Sequence, residues 1–303
     1  MNYASIIREI GRGAKGARDM DEEQAAWLFA QILEGRVPDL ELGALLLSLR
    51  IKGETAAELR GFLAALDERT RQVVVPEGPR CVLLPTYNGA RKQPNLMPLV
   101  ALLLAREGVP VLIQGRHDFE SRVSPFALLA ELGVRPESSL PGAASMLANR
   151  RVACLRLDML ARGLDWLLSL RLTLGVRNSG HTLAKLLDPC RGRSVRVVAV
   201  THPPYLESMQ ALLESRQANA LLMRGTEGEA YAAPRRRPRL LGFIDGKPME
   251  LYDAAGSDAD AVEGEVCTVP ENADLIRRML DGRVPVPRAI LDQVEALHRL
   301  ATH

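Results

Sequence analysis

Arg177, His181 and Lys185 recur at every fourth residue of the stretch RNSGHTLAKLLDP. Side chains four apart on a helix lie one above another, so the spacing predicts a column of three cationic groups, with Leu183, Leu186 and Leu187 on the apolar side. Stacked like charges cost about 0.2–0.5 kcal/mol per pair, which an anion facing the column relieves and a solvated face merely tolerates. The column is read as facing an anion. Asn178 or Ser179 is placed to cap this helix and Asp188-Pro189 to end it, and Asn178 also counts among the candidate phosphate contacts. A second cationic pair, Arg91 and Lys92, lies in LPTYNGARKQPNL, between the apolar runs CVLL and MPLVALLLA. Strand, glycine-bearing loop and helix in that order is an arrangement in which α/β proteins bind phosphate. Arg116 and Arg122 follow a second apolar run, VPVLIQG, and join the phosphate-binding candidates by position. Tyr87 has two readings, stacking on an unpaired base or packing in the interior.

Charge is distributed unevenly. The chain of 303 residues carries a net +2, but residues 1–79 carry −3, residues 80–247 carry +11 and residues 248–303 carry −6. A middle segment that basic suits a polyanion, with an arginine-rich solvated surface as the plain alternative. PRRRPR, residues 234–239, reads as an extended solvated loop between prolines, and Arg235, Arg236 and Arg237 add sequence-independent attraction to phosphate at most. Aromatic residues make up 4% of the chain, which argues against extensive base stacking. Cys81, Cys154, Cys190 and Cys267 are scattered, without a Cys-x-x-Cys pair or clustered histidines, so they are expected to be reduced thiols and no metal site is indicated.

The elements that must hold these residues fall into two textures. Glu22 to Leu33, Asp39 to Arg50 and Thr55 to Leu66 place apolar residues at helical spacing, with Asp19 or Asp21 available as a cap. A compact all-α unit is predicted there. After Pro76, Gly78 and Pro79, read as a hinge, come the runs CVLLP, VPVLIQG, VRVVAV and ANALLMRG, which lack alternation and suit strands of a parallel sheet covered on both faces. The predicted fold class is α/β: a small all-α N-terminal domain and a large α/β domain with a mostly parallel central sheet. No apolar run approaches the ~20 residues of a membrane helix, and MNYASIIREIGRG lacks a secretory core, so a cytoplasmic protein without membrane attachment is expected.

From Glu23 to Ala65 the chain resembles the helical domain of anthranilate phosphoribosyltransferases, and the resemblance continues over nearly its whole length. It implies an α-helical dimerisation domain of residues 1–75 with 165–190 packing on it, an α/β domain of residues 80–164 and 191–303, a cleft between them and a homodimer formed through the α domains. The enzymes' motifs are altered. Their diphosphate loop, Gly-Thr-Gly-Gly-Asp, falls on Pro85, Thr86, Tyr87, Asn88 and Gly89; Asn95 keeps the asparagine of Asn-x-Ser-Thr, but Met97 and Pro98 replace Ser-Thr. Lys-His-Gly-Asn-Arg becomes Ile113, Gln114, Gly115, Arg116 and His117, and the magnesium-holding Asp-Glu becomes Ala230 and Tyr231, with Glu227 and Glu229 nearby. Arg177 matches the family's arginine near the aromatic acid, whereas His181 and Lys185 replace an asparagine and a proline.

TYNGARKQPN, GVRNSGHTLAKLLDP, RGTEGE and GRGAKGARD are similar to the YbiB-type branch of this family, which is associated with nucleic-acid binding. The expectation is a non-catalytic homodimer that binds nucleic acid with low sequence specificity in a basic interdomain cleft, without a cofactor. The alternative is a phosphoribosyltransferase of altered substrate, for which magnesium would be required. A sensor of a different small anion is a third reading.

Overall fold

The computed structural model describes residues 2–13, 15–118, 121–201, 204–256 and 268–303, and it divides into two units. Met1–Arg71 and Leu157–Pro189 form the first; Gln72–Arg156 and Cys190–His303 form the second. The first unit therefore ends ahead of the proline-rich hinge, and its returning segment begins at Leu157 rather than at residue 165. The reason is local. Leu157 and Leu160 are buried, Arg71 donates its N–H to the Leu160 carbonyl at 2.9 Å, and a Cβ on Gly163 would stand 2.1 Å from the Leu33 carbonyl oxygen.

In chain order the first unit opens with α1 (Tyr3–Ile10), α2 (Glu22–Leu33), α3 (Asp39–Lys52) and α4 (Ala56–Glu68). The second begins with β1 (Cys81–Thr86), α5 (Met97–Arg106), β2 (Val111–Gly115), α6 (Pro125–Glu131), α7 (Leu140–Arg150) and β3 (Val152–Arg156). The returning segment supplies α8 (Leu157–Leu160), α9 (Arg162–Ser169), α10 (Arg171–Leu174) and α11 (Gly180–Leu183) to the first unit. The second is completed by β4 (Ser194–Val200), α12 (Pro204–Ser215), β5 (Ala220–Arg224), β6 (Leu240–Ile244), β7 (Lys247–Tyr252), α13 (Val269–Leu280) and α14 (Arg288–Thr302).

Reciprocal caps start two helices of the first unit. Asp21 and Thr55 accept from the N–H groups of Gln24 and Glu58, whose side chains reach back to the cap residues. Phe29 stacks on Phe62 with centroids 4.7 Å apart, joining α2 to α4. The fully buried Glu58 accepts from Lys52 Nζ at 2.7 Å and from the Met20 N–H at 3.0 Å, so its charge is paired and bonded as burial demands. The predicted helix over RNSGHTLAKLLDP is a single turn, α11. Arg177 precedes it outside any helix, and beyond Leu183 the N–H groups of Lys185 and Leu186 bond three residues back, to Thr182 and Leu183, in tighter turns, so the three cations do not share one α-helix.

The second unit is built on a seven-stranded sheet in the order β3-β2-β1-β4-β5-β6-β7. The first five are parallel, and β6 and β7 add on antiparallel. The four apolar runs named above fall on β1, β2, β4 and β5, which are buried on both faces. Cys81, Cys154 and Cys190 are buried free thiols; burial, then the negative charge of Glu137, pushes the Cys154 thiol well above its ordinary range. Cys267 lies outside the described residues. Among the described residues no helix is long and apolar enough to cross a membrane.

β1 and β2 finish in register at Thr86 and Gly115, and the next residue, Arg116, donates its N–H to the Thr86 carbonyl. A Cβ on Gly115 would lie 1.7 Å from that carbonyl oxygen, so only glycine lets the strand ends close. Gly115→Ala is expected to lower stability by about 3 kcal/mol or more in urea denaturation; a variant as stable as the parent would contradict this account of the strand ends.

Candidate functional site

The loop after β1 is fixed by a carboxylate from the loop after β5. Glu229 is fully buried, and its Oε1 accepts from the N–H groups of Tyr87, Asn88 and Gly89 at 3.2, 2.9 and 3.1 Å. Its Oε2 accepts from the Thr86 hydroxyl at 2.6 Å. Successive backbone N–H groups converging on one point form an anion-binding concavity, and here the anion belongs to the chain itself. Glu227 extends the pattern: its carboxylate accepts from the Arg91 N–H at 3.2 Å and the Lys92 N–H at 2.8 Å. A tight turn presents both acids. Glu227 stands at φ +52° and Gly228 at φ +88°, and a Cβ on Gly228 would meet Asn88 Nδ2 at 2.4 Å.

Further bonds fasten the same two loops. Tyr231 is fully buried and donates its hydroxyl to the Pro94 carbonyl at 3.1 Å. Burial, then the charges of Glu229 and Glu227, raises its phenol well above the ordinary value. Gln293 of α14 accepts from the Ala232 N–H and donates to the Ala230 carbonyl. Asn95 receives no ligand role from its geometry: its N–H donates to Asn272 of α13, and its amide donates to the Val123 carbonyl.

The remaining sequence candidates separate by unit. In the second, Arg91 and Lys92 are exposed, so their side chains face solvent while their N–H groups serve Glu227. Arg116 pairs with Asp118 at 2.7 Å, which balances the charge assigned to phosphate. Arg122 donates to the Asn88 carbonyl at 3.4 Å. Tyr87 is half-buried with its hydroxyl on the buried Gln114 at 2.6 Å, a contact that fits the packing reading. Arg237 pairs with the buried Asp292 and lies over the Tyr252 ring, so it belongs to the interior network of β7 and α14; Arg235 and Arg236 are exposed.

In the first unit Asn178 is buried, its amide donating to the Leu167 carbonyl at 2.8 Å and its side-chain oxygen accepting from the Gly180 N–H at 3.0 Å. Both ends of its amide are engaged in forming the turn. His181 Nδ1 lies 3.3 Å from Asn178, and Arg177, His181 and Lys185 are all partly buried. Arg50, which sequence reasoning passed over, donates from Nη1 to the Arg177 carbonyl at 3.0 Å and so adds a cation beside this turn. In the sequence Glu227 and Glu229 stand out only as acids near Ala230 and Tyr231, where the resemblance puts the magnesium-holding pair; the pattern Glu-Gly-Glu in a turn-forming stretch is their one available sign.

A magnesium ion does not fit this arrangement. The groups directed at Glu227 and Glu229 are N–H and O–H donors, which repel a cation, and both carboxylates are already engaged. Removing the Glu229 carboxylate leaves buried donors without an acceptor. Glu229→Ala is expected to cost about 3 kcal/mol in urea denaturation and to speed amide exchange at Tyr87, Asn88 and Gly89; unchanged stability and exchange would contradict the carboxylate's role.

Residues 4–70 match the family model described as glycosyl transferase family, helical bundle domain. The chain is 39% identical over 302 residues to the uncharacterized protein YbiB of Escherichia coli, covering 97% of this chain and 92% of that one. It is 31% identical over 195 residues to the anthranilate phosphoribosyltransferase of Desulforudis audaxviator, 64% of this chain and 56% of the relative. The crystal structure of anthranilate phosphoribosyltransferase from Thermus thermophilus aligns with a TM-score of 0.77 at 24% identity, over 99% of this chain and 87% of that one. With its helical bundle, its mostly parallel sheet and these relatives, the chain belongs to the YbiB-type branch of the anthranilate phosphoribosyltransferase family.

Proposed function

We propose that the chain is a non-catalytic nucleic-acid-binding protein of low sequence specificity. Glu229 carries this reading. With the loop's N–H groups committed to Glu229 and Glu227, a sugar diphosphate finds no backbone donors at Tyr87, Asn88 and Gly89, whereas Arg91 and Lys92 point outward from the same loop. The +11 balance of residues 80–247 supplies the background attraction, and Arg50, Arg177, His181 and Lys185 contribute on the first unit. Contacts of this kind attach to phosphates and carry no base information.

A second reading, a phosphoribosyltransferase of altered substrate, draws on the relatives whose names state an activity; both named above are anthranilate phosphoribosyltransferases. Those names favour the transferase, and the carboxylate-filled loop opposes it. Calorimetric titration with phosphoribosyl pyrophosphate and magnesium separates the two: micromolar, magnesium-dependent binding supports the transferase, and no saturable heat supports the non-catalytic reading.

Self-association is proposed through α3. Leu40, Leu47 and Ile51 are spaced to share one helical face and are 85%, 48% and 58% exposed, a stripe of apolar surface that a second copy would cover. Light scattering is expected to give a dimer for the parent chain and a monomer for Leu47→Asp/Ile51→Asp; a monomeric parent would end this proposal.

For nucleic acid, affinity for a mixed-sequence single strand is expected to fall steeply with salt. Each cation lost from contact lowers the log–log slope by about 0.7. Lys92→Ala/Arg177→Ala/Lys185→Ala should therefore bind more weakly at low salt with a slope shallower by about 2. Binding that is insensitive to salt, or a triple variant with the parent's slope, would count against the proposal.

A further inference from the structure

Three arginines from three helices converge at the end of the second unit opposite the Glu229 loop. Arg106 ends α5, Arg150 ends α7 and Arg277 lies in the last turn of α13, around a cavity of about 430 Å³. The cavity lies toward the amino-terminal ends of the strands, since Val152, the first residue of β3, is part of its wall. Each guanidinium uses one donor on a backbone carbonyl near a helix end: Arg106 on Leu280 at 2.6 Å, Arg277 on Glu131 at 2.5 Å and Arg150 on Gly133 at 3.5 Å. Those bonds orient the planar groups and offset their mutual repulsion, because carbonyls at helix C-termini carry partial negative charge.

Capping accounts for one N–H per arginine out of the five that a guanidinium offers. It does not account for the convergence. All three residues are exposed, and among the described residues none of the three pairs with a carboxylate. The acid on the cavity wall, Asp281, turns instead toward Arg283 at 3.4 Å. Between the arginines the wall is apolar, formed by Leu102, Leu132, Val152 and Leu280. The volume falls in the range typical of small-molecule sites, where an apolar surface with a few convergent polar groups holds a ligand.

We propose that this cavity binds a small amphipathic carboxylate, its oxyanion held by Arg106, Arg150 and Arg277 and its apolar body on the leucine and valine wall. The site shares no residue with the loop of Glu229 or with the cations proposed for nucleic acid. Guanidiniums in a fixed fork match a carboxylate in two-point fashion, which selects a head of that shape, and the wall selects for a chain or ring behind it.

Calorimetric titration of the full chain with octanoate tests both halves of the inference. Saturable binding of one octanoate per chain is expected, with acetate, which has the head alone, and 1-octanol, which has the body alone, at least tenfold weaker. Arg106→Gln/Arg150→Gln should weaken octanoate at least tenfold, and Arg150→Gln alone severalfold, with thermal unfolding close to the parent's. Arg150 sits on the surface with its longest bond, so that single variant keeps the test valid if the double variant is unstable. Absence of saturable octanoate binding, acetate binding as tight as octanoate, or variants that bind like the parent would each overturn the proposal.

Discussion

A carboxylate removed from water must be surrounded by donors, and Glu229 meets that demand with one hydroxyl and three N–H groups of residues 86–89. The bond works in both directions. Without the acid, the loop after β1 would present unbonded buried donors; without the loop, the acid would be a buried charge with no partner. Much of the surroundings follows from keeping the two together. The turn at Glu227 and Gly228 adopts positive φ to bring both acids to bear, Tyr231 reaches Pro94 from behind, and Gln293 holds the intervening backbone against α14. Gly115 has no side chain because the strand that ends beside Thr86 must close on its carbonyl.

Membership of the anthranilate phosphoribosyltransferase family coexists here with a loop after β1 whose N–H groups are taken up by two glutamates of the same chain. The sheet order, the helical bundle and the returning segment are properties of the core, set by buried leucines and valines. The loops at the carboxyl ends of β1 and β5 answer to different requirements, and chemistry follows the loops. For this reason a TM-score of 0.77 with an enzyme describes the scaffold, while six hydrogen-bond donors turned onto two glutamates describe what the scaffold now carries.

Much of the fold was legible in the sequence because burial leaves a local trace. β1, β2, β4 and β5 lie inside the sheet and read as unbroken apolar runs; α2 begins where its apolar period and Asp21 predict. β7 left no such trace, since it is the exposed edge strand and contains Lys247, Pro248 and Glu250. The cation spacing at Arg177, His181 and Lys185 misled because period alone does not make a helix: Asn178 turns its side chain onto Leu167 and Gly180, and the α-helix runs only from Gly180 to Leu183 before tighter turns follow. The candidate site was the least legible part. Glu229 stands about 140 residues from the N–H groups that it binds, and nothing in the local sequence of either loop names the other.

The pairing of the two loops also constrains how the chain can change over generations. Freeing the N–H groups of the loop after β1 for an outside anion requires withdrawing both acids of the other loop. Taken singly, withdrawal of Glu229 leaves buried donors unmatched, and altering the loop first leaves a buried charge unmatched. Each order of steps passes through a less stable protein, so the two loops are held to change together.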